Sequence, residues 1–370
     1  WVIVVGFTCL YLSLIFNHNI WTDEAFTLQL LKGNIHEIIE GTAKDVHPPL
    51  YYLYAKLFMV FFGESFLAQK IAVIIPMIVL LVVGATIVRN TFGNRASLMF
   101  LLFITCIPCT MEFSVQLRMY SMALLFVTLC GIYAFLTFES GKKSDVVMFS
   151  LNGILAAYTH YFAFVSVIFI TVLLLFAFLV WKREKVYTWL ISVLVMVICY
   201  LPWLPYFLKQ VIRVEQGYWI PEITAQTVWE YFVWTFDLEL IPGVVFIFLL
   251  VLKWVSIFSV IQIDKHKNKT DIYALLCMLV PMFTTIFGVI ASEIRMPIYR
   301  DQYILPALGM LALFFGITMN KMRKEIVVFI TMFLLFVGAV QYRECYRQEY
   351  HSTYVAQTED FFINNLKEED

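Results

Sequence analysis

Charge is what this sequence has least of: only 14% of its 370 residues are Asp, Glu, Lys or Arg, while 61% are hydrophobic. A soluble domain carries charge on roughly a quarter of its residues, so a water-soluble globule is excluded. With a net charge of -1 there is no basic face dense enough for nucleic acid. Cysteine gives no disulfide framework either, since Cys9, Cys106, Cys109, Cys130, Cys199 and Cys277 sit inside apolar runs and only Cys345 lies outside one. Cys106-Ile-Pro-Cys109 has redox-motif spacing but no βαβ pattern around it. Also missing are a Gly-rich phosphate loop, zinc-ligand spacing, a nucleophile elbow and an internal repeat.

What is present is apolar length. Runs near 1–16, 66–88, 96–109, 121–138, 146–158, 162–180, 189–207, 241–262, 272–291, 303–319 and 326–340 approach or reach the length that spans a hydrocarbon core of about 30 Å as helix. They lack the period-two alternation of a membrane barrel. The expectation is an all-α integral membrane protein, a bundle of about 11 transmembrane helices. Run 1–16 is read as a span because no small-residue cleavage site follows it. Lys253, inside 241–262, is the one awkward charge, and snorkelling or an early end to the helix accounts for it.

The connections alternate in character. Five short ones (89–95, 139–145, 181–188, 263–271 and 320–325) hold thirteen lysines and arginines; the other five (17–65, 110–120, 159–161, 208–240 and 292–302) are nearly three times as long in total and hold eight. Basic connections stay cytoplasmic, so the second set faces outward. That parity requires the apolar stretch 48–63 not to cross. It is expected to be a juxtamembrane or re-entrant helix begun by Pro48 and Pro49, where a missing amide donor costs nothing. Leu28, Leu31, Ile35, Ile38 and Ile39 predict one or two short interfacial helices before it. Residues 1–340 then form one transmembrane domain, the first outer loop 17–65 carrying the active site, and 341–370 form a short extracytoplasmic tail.

Polar residues able to do chemistry fall on that outer side. Asp23 and Glu24 follow the first span, where a partly desolvated carboxylate can act as a general base; helix capping is the plainer reading of the same residues. His47 precedes two prolines, which holds its backbone extended, so its ring can be aimed at a ligand rather than buried; a turn-forming histidine with no chemistry is the plainer reading. Asp45 can orient that ring or merely solvate the loop. Glu112, Gln116, Arg118 and Tyr120 cluster at the junction of two apolar runs, where an arginine is costly unless it meets an anion or a headgroup. Arg295 and Arg300, with Tyr303, repeat the situation in the last large outer loop, one as phosphate ligand and the other as partner of a headgroup or Asp301. His160 lies in the shortest outer turn and either lines a polar pocket or belongs to an interfacial aromatic belt. Tyr218, Trp219, Trp229, Tyr231 and Trp234 can stack on sugar rings or anchor the membrane.

Asp23-Glu24, Val46-His47-Pro48-Pro49-Leu50-Tyr51-Tyr52, Phe62-Gly63-Glu64-Ser65, Arg118-Met119-Tyr120 and Tyr299-Arg300 with Tyr303 and Pro306 together resemble the polytopic glycosyltransferases of the C-type (GT-C) fold. That group includes the protein O-mannosyltransferases and the transferase that adds aminoarabinose to lipid A. The resemblance covers residues 1 to about 320. It implies transfer of a sugar from a polyprenyl-phosphate carrier, with Asp23 at the position of the catalytic carboxylate and basic residues on the carrier phosphate. The aminoarabinose transferase has a lysine where His47 stands and an arginine where this chain has Phe26, so the phosphate ligands differ.

The residues fit that chemistry independently. One carboxylate can deprotonate an acceptor hydroxyl while His47, Arg118, Arg300 and Arg295 hold the departing phosphate, with Tyr120, Glu112, His160 and Tyr303 lining the pocket. Glu24 either orients Asp23 or joins a divalent metal site. The expected partners are a polyprenyl-phosphate hexose or pentose, a glycan, lipid or protein acceptor, and membrane lipid. Abundant Phe, Ile and Lys with no long loops point to a bacterial inner membrane, the site facing outward. The rival class is a polytopic transporter of a lipid-linked or anionic substrate, but transporters place polar residues near the midplane, often within inverted repeats.

Overall fold

The structure is a computed structural model and describes residues 1–16, 20–215, 220, 222–236, 269–294 and 296–351; of Glu215 and His351 only the backbone is described. Among them every regular element is a helix. The expected span 241–262 with Lys253 lies outside the described residues, as do Arg295, Tyr218 and Trp219.

Among the described residues six helices are long and apolar enough to cross a membrane: Phe66–Phe92, Tyr120–Ser140, Tyr161–Trp181, Lys269–Ile294, Asp301–Met319 and Lys324–Tyr350. Three expected spans give shorter helices, Val2–Ser13, Asn94–Cys106 and Lys143–Ala157. Run 96–109 is cut because Pro108 starts a separate helix, Pro108–Phe113, and the residue before a proline disfavours helical backbone. The span expected over 189–207 is bent: Arg183–Tyr200 and Leu204–Val214 meet at 71°. Pro202 lies in the break, where its ring removes an amide donor and clashes with the preceding turn. The last helix continues well past residue 340, to His351.

Two helices form the centre. Every residue of Leu308–Met319 is buried, as is most of Tyr120–Ser140. In a bilayer, lipid tails are as apolar as leucine, so helices associate through close backbone approach at small residues. A Cβ on Gly316 would fall 2.6 Å from the carbonyl oxygen of Ala96, and one on Gly309 would fall 1.7 Å from Thr128 Oγ1. Asn94–Cys106 and Lys269–Ile294 pack on the same central helix.

The described parts of the two sets of connections separate to opposite ends. At one end Asn320 Nδ2 donates to Phe92 O (2.9 Å), Lys269 pairs with Glu139 (3.5 Å), Lys321 pairs with Asp271, and Lys182 Nζ donates to Glu139 O (3.2 Å). At the other end Leu50 N donates to Tyr158 O (3.0 Å) and Gln210 Nε2 to Thr42 O (2.7 Å). The expected helix in 48–63 is Leu50–Phe62; Gly63, with φ at 90°, turns the chain straight into Phe66–Phe92, so both its ends lie at this second end. The expected short helices are Thr22–Lys32 and Ile35–Lys44. Asn34 and Glu37 cap the second reciprocally: Glu37 N donates to Asn34 Oδ1 (3.0 Å) and Asn34 N to Glu37 Oε2 (2.7 Å).

Candidate active site

Asp23 is in the first turn of Thr22–Lys32, and its side chain is 41% exposed. Its neighbour Glu24 is turned inward and buried. Glu24 Oε2 accepts from Trp21 N (3.0 Å), which ties off the helix start, and Oε1 accepts from Leu117 N (2.7 Å) and from Lys70 Nζ (2.9 Å). The adjacent carboxylates are thereby divided: one open, one locked into the protein.

Leu117 belongs to the irregular segment 114–119 between Pro108–Phe113 and Tyr120–Ser140, and that segment carries Arg118. Arg118 is buried, and its guanidinium meets four groups. Nη2 lies 2.8 Å from His47 Nε2 and 3.6 Å from Asp23 Oδ2; Nη1 donates to Asp23 O (3.4 Å) and to Tyr52 Oη (3.5 Å). Its Nε is buried without a hydrogen-bond partner. So the fork that the sequence assigns to an incoming anion is already engaged with the first-loop aspartate and a histidine.

His47 is not held out in the loop as its prolines suggest: it is 7% exposed. Burial depresses its pKa well below the ordinary histidine value, and Arg118 and then His160 push the same way. Since Arg118 donates, Nε2 of His47 is the accepting nitrogen of a neutral ring. Asp45, whose acidity burial weakens, makes no hydrogen bond to the ring; its amide closes the preceding helix on Gly41 O and Thr42 O.

His160 lies 5.6 Å from His47, ring centre to ring centre, and is also packed by Tyr120 (5.5 Å) and Tyr303 (5.2 Å). Its Nδ1 accepts from Phe162 N (3.1 Å), capping Tyr161–Trp181 and leaving the proton on Nε2. Burial, then Arg118, lowers its pKa to about 3. Both histidines are therefore neutral across the physiological range.

They line a cavity of 680 Å³. Apart from Gln210, Tyr161 and Tyr303, its remaining wall is apolar, drawn from Val46 and from residues within 162–168, 207–214, 287–294 and 296–298. The bend after Tyr200 brings Phe207, Val211 and Val214 to this wall.

Other expected site residues gather around this centre without entering the Asp23–Arg118–His47 cluster. Tyr120 packs against His160 and, edge-on at 5.0 Å, against Phe113. Arg300 Nε pairs with Asp301 Oδ1 at 3.4 Å, the pairing expected for one of the two loop arginines. Glu112 is half-buried; burial, then Asp301 and Glu349, raise its pKa to about 7. Trp234 packs edge-on against Phe113, Tyr231 packs against Tyr299, and Trp229 is exposed. No three His, Cys, Asp or Glu side chains gather as metal ligands among the described residues.

Lys70 escapes a reading of motifs. It is completely buried in Phe66–Phe92, so Lys253 is not the one awkward charge. The signal was available: an ionisable residue within an apolar run marks a function or a buried partner. Its place near the start of the run invites a snorkelling explanation that the structure overturns.

No family model matches this sequence, and neither does any curated protein. Solved structures do. ArnT from Cupriavidus metallidurans in the apo state aligns with a TM-score of 0.61 at 15% identity, covering 87% of this chain and 59% of that one. The same protein bound to undecaprenyl phosphate aligns at 0.62 with 12% identity, covering 92% and 63%. This chain spans about three fifths of that protein's length and has its GT-C fold.

Proposed function

We propose that the protein is a membrane glycosyltransferase that moves a sugar from a polyprenyl-phosphate donor to an acceptor hydroxyl. The observation that carries the reading is the open Asp23 carboxylate 3.6 Å from a buried arginine that also meets His47, which lines an apolar cavity of 680 Å³. Undecaprenyl phosphate bound to ArnT, a protein of the same fold, supports the donor class.

In this reading the polyprenyl chain enters along the apolar wall, and its phosphate sits at Arg118, His47 and His160, with Arg300 nearby. Asp23 takes the proton of the acceptor hydroxyl; the acceptor oxygen attacks the anomeric carbon, and the bond from that carbon to the phosphate oxygen breaks. One displacement inverts the configuration, and the polyprenyl phosphate leaves carrying the bonding electrons. The protein's part is positioning and charge: a base on the attacking side, and cationic and neutral N–H donors on the leaving side. Glu24, locked to Lys70 and to backbone, fixes the segment bearing Asp23 rather than touching substrate.

The test is release of undecaprenyl phosphate from undecaprenyl-phosphate hexoses and pentoses by purified protein, with crude membrane glycans as acceptor. Release that disappears in Asp23→Asn is expected. No release from any donor, together with no donor binding, would favour the transporter reading instead.

A further inference from the structure

We infer that Lys70 is a positioning residue: its buried ammonium sets the register between the segment carrying Asp23 and the segment carrying Arg118. The inference rests on the transferase reading for its catalytic consequence, but its geometry stands apart from it.

Lys70 is wholly buried, and its Nζ donates to Glu24 Oε1 at 2.9 Å and to Val115 O at 3.0 Å. Glu24 Oε1 in turn accepts the amide of Leu117 at 2.7 Å. One ammonium and one carboxylate thus stitch two chain segments that lie far apart in sequence. On one side is the helix start whose next residue back is Asp23; on the other is the irregular stretch whose next residue on is Arg118. The segment 114–119 has no helical ladder of its own to hold it, so these contacts replace the missing ones. Two further groups face Lys70: Glu349 Oε2 from the last helix at 3.8 Å, and the Phe66 ring at 5.3 Å.

A buried pair is weak evidence for stability, since well-packed apolar residues often serve as well. What apolar residues cannot do is hold a carbonyl and an amide of an irregular segment in fixed register. That argues for precision of the site as the role of Lys70, because Asp23 and Arg118 meet at 3.6 Å and small misplacements of reacting groups are costly.

The test compares the intact protein with Lys70→Met and with the neutral pair Lys70→Met/Glu24→Gln, in nanodiscs, by amide exchange and by turnover. In both variants, exchange in peptides covering 20–25 and 114–119 should speed up roughly tenfold or more while the Tyr120–Ser140 helix is unchanged. Turnover should show kcat reduced about tenfold or more with the donor KM within about threefold of the intact protein. The double variant leaves only Glu349, 3.8 Å from Lys70 in the intact protein, without its cation, so it should melt nearer the intact protein than Lys70→Met does, which separates register from folding. Unchanged exchange at 114–119, or unchanged kcat in a variant that has lost that protection, would overturn the inference. If the intact protein shows no turnover, the transferase reading fails by itself. Exchange, with undecaprenyl phosphate affinity in place of kcat, then decides whether Lys70 holds the two segments and their binding surface.

Discussion

Arg118 Nη2 and His47 Nε2 are 2.8 Å apart, and a guanidinium can only donate, so the imidazole must accept. Protonating His47 removes that acceptor and places a second cation against Arg118 inside the protein. The folded-state pKa of His47 lies well below its unfolded value of 6.5, and that of His160 is lowered to about 3. Below pH 6.5 the unfolded chain binds these protons and the folded protein does not. The contribution of the two histidines to stability is therefore full above that pH and is lost progressively as pH falls. Thermal midpoints measured from pH 8 to pH 5 should drop on the acid side, and His47→Gln should flatten the drop. A profile for His47→Gln identical to that of the intact protein would disprove the assignment.

Glu112 works in the opposite sense. Burial and two neighbouring carboxylates raise its pKa from 4.5 to about 7, so between those values the folded protein holds a proton that the unfolded chain has released. Its contribution falls as pH rises through that window, and above about pH 7 the folded state bears the cost of a poorly solvated charge. Glu112→Gln should raise the midpoint at pH 8 by an amount corresponding to about 1–2 kcal/mol, a figure discounted for partial exposure, and leave it almost unchanged at pH 5. Equal effects at both values would mean that charge is not the issue.

These two residues also show how far sequence carries. Glu112 and Arg118 are conspicuous as polar residues between apolar runs, and Asp23 by its place after the first one. Apolar length alone locates the bundle, and charge asymmetry separates the two ends that the structure keeps apart. What periodicity cannot give is long-range pairing. Nothing local to Lys70 says that a carboxylate 46 residues away will meet it, or that Glu349 on the last helix will approach from the other side. The burial of His47 was likewise hidden, because backbone restriction by Pro48 fixes where the chain goes and not what closes over the ring.

Packing at the centre gives a prediction independent of function. A Cβ on Gly316 would meet backbone, Ala96 O at 2.6 Å and Phe100 N at 3.2 Å, and backbone of a neighbouring helix cannot rotate away as a side chain can. Gly316→Ala should destabilise by about 1–3 kcal/mol, the usual cost of overpacking. Gly6→Ala serves as control, since nothing lies within 4 Å of a Cβ there. Comparable melting for both variants would show that the two helices are not in this contact.

The first-loop carboxylates should divide function from folding. Asp23 is 41% exposed and, among the described residues, its carboxylate pairs with Arg118 alone, at 3.6 Å, so Asp23→Asn removes little packing and leaves the Trp21 and Leu117 amides on Glu24. Its melting midpoint should stay close to that of the intact protein, while transfer falls by about 10²–10⁴, the range that a positioned general base supplies. Glu24→Ala does the reverse in part. It strands two amides and leaves a buried ammonium with only Val115 O and the more distant Glu349, and breaking such a pair costs about 3–5 kcal/mol, so this variant loses stability and activity together. Midpoint and turnover measured on both variants in one membrane preparation settle the division. A stable Glu24→Ala, or an unstable Asp23→Asn, would mean that the open and the locked carboxylate have been assigned the wrong way round.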